Sequence, residues 1–261
     1  MSDFSTVHWT IRFKGYLPVD DRMPERLKRV VAEIDKLPDS AMEVEEQAQI
    51  ITIDYAQVRG WFEESQKTIG VVHVGERTVV KPPWEEYEPK PGEVVLEIDP
   101  GAAFGSGLHE STALCVEELE RRVRPGMSEI DFGTGSGVLA ICAAKLGASR
   151  VTAVEADVES VEIARNNVRL NKLGSVVDVV YADTPAAARN RANLVVANVV
   201  PAALIAHSRS LFDALEPGGV LIASGMATKQ ADEVEKAFIE AGFSILDRPT
   251  KPRWAALVAS R

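Results

Sequence analysis

Cysteine is scarce in these 261 residues: Cys115 and Cys142 are the only two, and both fall inside apolar helical patterns. Thiols so placed read as buried, reduced and structural, and they exclude a disulfide framework. Histidine is equally sparse. His8, His73, His109 and His207 are scattered, so no cysteine or histidine cluster has metal-ligand spacing. Positive charge is in deficit, with 29 Lys and Arg against 39 Asp and Glu and a net charge of −10. Nothing supplies a basic face for phosphates, which argues against direct nucleic-acid binding. The same balance keeps a protein in solution and favours encounter with a cationic partner such as a lysine-rich protein segment. No apolar run approaches the ~20 residues of a membrane span. The N-terminal residues lack the basic start and apolar core of a signal peptide. A cytoplasmic monomer without a membrane partner is expected.

What is present divides at a proline-rich stretch. Val7, Trp9, Ile11 and Phe13 alternate with polar neighbours as a half-buried strand does. A helix over 24–36 places Leu27, Val30, Val31 and Ile34 at helical spacing, and Pro38 stops it. A second strand is expected over 50–55, then a helix-like stretch over 57–67. Residues 69–80 read as two short strands turning at Gly75 and Glu76. Residues 1–80 are thus expected to form a small α+β domain. Over 81–92 lie Pro82, Pro83, Pro89 and Pro91, which no central strand or helix accommodates. That segment is expected to be a semi-rigid linker and the domain boundary.

From 93 to 261 the pattern alternates. Strand-like segments at 94–98, 128–132, 150–154, 176–181, 193–197 and 220–224 interleave with helical ones at 111–122, 138–146, 158–170, 204–215 and 230–241. Such alternation predicts an α/β domain with a doubly wound, mostly parallel sheet covered on both faces. Segments 243–247 and 255–259 have no helix between them and should pair antiparallel at the sheet's edge.

The chemistry-bearing motif is Asp131, Phe132, Gly133, Thr134, Gly135, Ser136 and Gly137, placed after a strand and before a helix. Glycines there permit positive φ and a close backbone approach to a ligand. Glu155, 22 residues beyond Gly133, closes the next strand, where a carboxylate can accept hydrogen bonds from both ribose hydroxyls of an adenosine. A dinucleotide site wants G-x-G-x-x-G, but the third glycine would fall on Val138. The run instead begins with an acid, which repels a pyrophosphate and suits the ammonium of S-adenosylmethionine. An S-adenosylmethionine-dependent methyltransferase is the reading; a nicotinamide oxidoreductase is the alternative from another class. Asp183, after the third strand, is placed either to meet the adenine amino group or simply to start a turn.

The run from Asp99 to Cys115, with Phe104, Gly105, Ser106, Gly107, Leu108, His109, Glu110, Ser111 and Thr112 at its centre, resembles the hallmark segment of PrmA-type enzymes. So do residues 131–141, Val195 to Asn198, Glu216 to Gly219 with Ser224 and Gly225, and Arg253 to Leu257. These bacterial enzymes methylate a large-subunit ribosomal protein at the base of the ribosomal stalk. The resemblance implies the class I methyltransferase fold with a seven-stranded sheet, and a small N-terminal domain that recognises a basic ribosomal protein. It places Thr112, Gly133, Glu155 and Asn198 on cofactor contacts, and Phe104 on the loop over the methionine end. Ser106 and Ser111 stand where threonines are usual, Asn193 where an acid is, and Glu155 for the commoner aspartate. Another protein, for example an electron-transfer flavoprotein subunit, or a small molecule is the alternative acceptor.

Methyl transfer to a lysine or α-amine needs a neutral amine aligned with the methyl group. Phe104 offers an apolar wall that eases loss of the proton, and the Asn198 amide oxygen either aims the amine or contacts only the cofactor. His109 is read as a structural hydrogen-bonding residue, with general-base duty the alternative. Trp61, Phe62, Trp84 and Tyr87 are expected to pack between domains and under the linker rather than to form an exposed aromatic surface.

Overall fold

The structure is a computed structural model that describes residues 70–99 and 109–261, all within one compact unit spanning Ala56–Arg261. The elements expected over 1–67, together with Trp61, Phe62 and Phe104, lie outside the described residues.

Seven strands form one sheet: β4 (Ser128–Phe132), β5 (Arg150–Glu155), β6 (Val177–Tyr181), β7 (Ala192–Asn198), β8 (Leu215–Ala227), β9 (Ser244–Asp247) and β10 (Trp254–Ser260). Their spatial order is β6-β5-β4-β7-β8-β10-β9. Strands β4 to β8 are parallel, and β10 runs antiparallel to both β8 and β9. The chain winds outward from β4 to β6, then returns to β7 on the other side of β4. That reversal leaves a crevice beyond the carboxyl ends of β4 and β7, where ligands of open α/β sheets bind.

Helices cover both faces, as the alternation predicts. On one side lie α1 (Glu110–Arg122), α2 (Val138–Leu146) and α3 (Val158–Leu170); on the other lie α4 (Pro201–Ala206), α5 (Ser208–Ala214) and α6 (Ala231–Ala241). Helix α2 buries every residue from Val138 to Ala143 because it is wedged against α1, α3 and the sheet. Gly147, at φ +118°, ends it by donating to the Ala143 and Ala144 carbonyls. Helix α3 starts at Asp157, whose carboxylate accepts from the Ser160 N–H at 2.8 Å. No helix among the described residues is long and apolar enough to cross a membrane.

Three details depart from the sequence reading. Segment 94–98 does not join the main sheet. As β3 (Val94–Glu97) it pairs in parallel with β2 (Thr78–Lys81), which turns antiparallel to β1 (Val72–His73), in a separate three-stranded sheet. Leu96, Ile98 and Val80 face the same core as α1 and α2, so burial is satisfied without a place in the large sheet. Proline-rich 81–92 connects these two paired strands. The helix expected over 204–215 is two helices hinged at His207, and Pro201 advances the start of the first. Strand β8 also extends well beyond 220–224 on both sides.

Candidate active site

Strand register gathers the polar groups. Asp131 of β4 lies opposite Ala153 and Val196, Glu155 opposite Tyr181, and Asn198 opposite Ser224. Opposed residues of a parallel ladder share a face. Asp131, Glu155 and Asn198 therefore all project toward α1, α2 and α3 near the carboxyl ends of adjacent strands. Helix α1 delivers its first turn to the same place, and the buried Thr112 hydroxyl accepts from Asn198 Nδ2 at 3.3 Å.

The glycine turn has a defined shape. Gly133, Gly135 and Gly137 take φ of +74°, +54° and +86°, a region that side chains rarely enter. Gly133 and Thr134 N–H groups both donate to the Val154 carbonyl, at 2.9 and 3.1 Å. Asp131 lies beneath the turn. Its Oδ2 accepts from the Thr134 hydroxyl at 2.6 Å and from the Ala140 N–H at 3.0 Å. Its Oδ1 is buried without a partner. Burial pushes the Asp131 carboxyl up to about 7, although the Thr134 and Ala140 bonds pull the other way.

Glu155 spans the turn. Its Oε2 accepts from the Gly135 N–H at 2.9 Å, while Oε1 accepts from the N–H groups of Ala156 and Asp157 at 2.8 and 3.0 Å. The carboxylate is thereby fixed as an acceptor, with the extra methylene of glutamate carrying it back to Gly135.

Val199, just after Asn198, is enclosed on two sides. A Cβ on Gly133 would lie 2.2 Å from its Cγ1, and one on Gly225 would lie 2.3 Å from its carbonyl oxygen. Two left-handed glycines thus set the backbone beside Asn198. The Asn198 Oδ1 is buried and has no hydrogen-bond partner.

The remaining candidates fall in varied places. Asp183 is exposed in the turn after β6, and its neighbour Ala182 donates to the Glu155 carbonyl at 2.8 Å. His109 caps α1: its Nδ1 accepts from the Ser111 N–H at 3.3 Å, and its ring meets Trp254 edge-on at 4.4 Å. That is the structural reading of this histidine. Tyr87 donates to Glu93 at 2.6 Å and its ring meets His73 edge-on, so it packs on its own segment.

Two groups went unread in the sequence. Glu129, two residues before Asp131 on the same face, is buried with both carboxylate oxygens unpartnered, and burial pushes its pKa well above the ordinary range. Burial without a partner disfavours its charged form. Asn167, fully buried on α3, donates to Ser136 in the glycine turn at 2.8 Å. A polar residue beside the apolar stripe Val161, Ala164 and Val168 was the available signal for it.

The groups converging on this crevice are carboxylates and an amide oxygen, acceptors that suit hydroxyls and a positive charge and repel a pyrophosphate. With a side-chain-free turn beside them, they fit S-adenosylmethionine.

Comparison with known proteins agrees. Residues 5–261 match the family model described as "Ribosomal protein L11 methyltransferase (PrmA)". A relative of that name from Pelotomaculum thermopropionicum is 41% identical over 248 residues, covering 95% of this chain and 79% of the relative. Another from Heliobacterium modesticaldum is 38% identical over 253 residues, covering 96% and 78%. The crystal structure of a ribosomal protein L11 methylase from Lactobacillus delbrueckii subsp. bulgaricus superposes with a TM-score of 0.69 at 32% identity, covering 74% of this chain and 98% of that one.

Proposed function

We propose, for a chain that belongs to the PrmA family of ribosomal protein L11 methyltransferases, that it transfers methyl groups from S-adenosylmethionine to amino groups of ribosomal protein L11. The acceptors in this reading are lysine side chains and the α-amine. When bound, the cofactor supplies an electrophilic methyl group on a sulfonium.

The chain's own residues supply the rest. Glu155 accepts from the ribose hydroxyls, Gly133, Gly135 and Gly137 let the backbone close on the ligand, and Asp183 meets the adenine amino group. Asp131 keeps the turn in shape from below and presents negative potential toward the methionine end. Thr112 holds the Asn198 amide through its Nδ2. Phe104 provides the apolar wall of the acceptor pocket. A lysine ammonium with a pKa of ~10.4 must lose its proton first, at a cost of about 4–5 kcal/mol at neutral pH. A dry pocket lowers that cost because desolvation disfavours the charged form. Residues 1–80 recognise the protein substrate, in the cytoplasm where ribosomes form.

One observation supports this assignment above the others: the buried, unpartnered Asn198 Oδ1. An unsatisfied buried acceptor costs about 1–3 kcal/mol. An N–H of a neutral acceptor amine satisfies it and leaves the nitrogen lone pair free to face the methyl group. The test is peptide mapping by mass spectrometry of purified L11 after incubation with the enzyme and S-adenosylmethionine. Methyl groups on lysine or α-amino nitrogens are expected. Unmodified L11 alongside a labelled protein of another size in cell lysate defeats the proposal.

A further inference from the structure

Helix α3 and its C-cap carry two buried asparagines one turn apart, Asn167 and Asn171, and both act as clamps. Asn171 Oδ1 accepts from the Glu97 N–H at 3.0 Å, and its Nδ2 donates to the carbonyls of Glu97 and Asn167 at 2.6 and 2.8 Å. Asn167 treats the next extended stretch in the same way. Its Oδ1 accepts from the Asp99 N–H at 2.9 Å, and its Nδ2 donates to the Asp99 carbonyl at 3.0 Å. The third bond separates the two. Asn171 spends it within its own helix, whereas Asn167 spends it on the Ser136 carbonyl at 2.8 Å.

Ser136 is fully buried and sits between Gly135 and Gly137, both with positive φ. Glycine peptides carry more conformational freedom than any others, so a turn built from them needs an outside anchor to hold one geometry. Gly135 on one side aims its N–H at Glu155. Gly137 on the other side caps α2, its carbonyl accepting from the Ile141 N–H at 2.9 Å. The Asn167 amide adds a side-chain donor to the carbonyl of the Ser136–Gly137 peptide, whose N–H donates to the Thr134 carbonyl at 2.9 Å.

We infer that Asn167 is a positioning residue for the cofactor, fixing the Ser136 peptide so that Gly135 and Glu155 keep the spacing the adenosyl ligand requires. This rests on the cofactor reading above. Asn171 provides the internal control, because it makes an equivalent set of bonds to β3 without touching the turn.

The experiment titrates S-adenosylhomocysteine into the full chain and into Asn167→Ala and Asn171→Ala, with thermal melts of each. Both variants are expected to melt lower. Of the three hydrogen bonds that Asn167→Ala removes, the one to the turn is expected to show in binding, weakening it roughly tenfold where Asn171→Ala does not. The same change should appear in the KM for S-adenosylmethionine, with kcat kept. Should Asn167→Ala fail to fold, Asn167→Asp replaces it, since it retains the acceptor for the Asp99 N–H and loses the amide hydrogens directed at the Ser136 and Asp99 carbonyls. Unchanged affinity in the Asn167 variants, or an equal loss in Asn171→Ala, overturns the inference while wild-type binding leaves the cofactor reading intact. A wild-type protein that binds no S-adenosylhomocysteine overturns both.

Discussion

A Cβ on Gly225 would meet the Val199 carbonyl oxygen at 2.3 Å and its nitrogen at 2.9 Å, and Gly225 holds φ at +89°. The obstacle is backbone, so no side-chain rotation relieves it, and Val199 must move with Asn198 attached. Displacements of about 1 Å at a reacting group cost on the order of 100-fold in rate. Gly225→Ala is therefore expected to lower kcat by about that factor while S-adenosylhomocysteine affinity changes little; steady-state kinetics with a binding titration checks both. Asp131 makes a different demand. Burial raises its carboxyl from the ordinary 3.8 to about 7, so the folded state holds this proton more tightly than the unfolded chain. The contribution to stability is fully present below 3.8 and is lost as pH rises through about 7. Asp131→Asn keeps an acceptor for Thr134 and Ala140 and does not titrate. Unfolding of the ligand-free proteins should show the wild type losing ground to the variant across that window, by at most ~1.4 kcal/mol per pH unit. Parallel curves would sink this account of the carboxyl.

Glu120 of α1 ties one element to another. Its carboxylate accepts from the N–H groups of Glu76 and Arg77 at 2.9 and 3.1 Å and from the Thr78 hydroxyl at 2.5 Å, closing the turn between β1 and β2. Glu120→Ala is expected to cost about 2 kcal/mol in chemical denaturation, and to speed hydrogen exchange at Glu76 and Arg77. That small sheet is also where the sequence was least legible. Periodicity identifies β3 as a strand but carries no information about which sheet it joins, and Leu96 and Ile98 would be buried in either. Helix α3 was legible from its helical period and the Asp157 cap, and helix α2 from a short apolar run bounded by Gly137 and Gly147, with strands β4, β5 and β6 as the short apolar-rich segments that flank them. The split at His207 was not, since an apolar stripe continues across it in Leu204 and Leu211. At the site, local spacing located the glycine turn and Glu155. Spacing does not say on which side of the turn Asp131 points its oxygens, nor that Asn167 reaches Ser136 from 31 residues away. Those depend on how three helices pack over one face.

Across the whole molecule, 39 acidic residues against 29 basic ones give a field that attracts a basic protein from a distance. Added salt screens such attraction while barely affecting contacts inside a crevice. The KM for L11 is expected to rise steadily with ionic strength and the KM for S-adenosylmethionine to stay nearly level; two lines of equal slope would count against charge steering. The sheet order has one more consequence, for biogenesis. Strand β10, residues 254–260, is threaded between β8 and β9, and β9 touches the sheet only through it. A nascent chain cannot seal its half-built sheet until those residues clear the exit tunnel, and until then the outer edge of β8 is open to stray pairing. The sheet is thus completed only after residues 254–260 have emerged, and translation pauses before residue 254 should yield protease-sensitive, aggregation-prone intermediates.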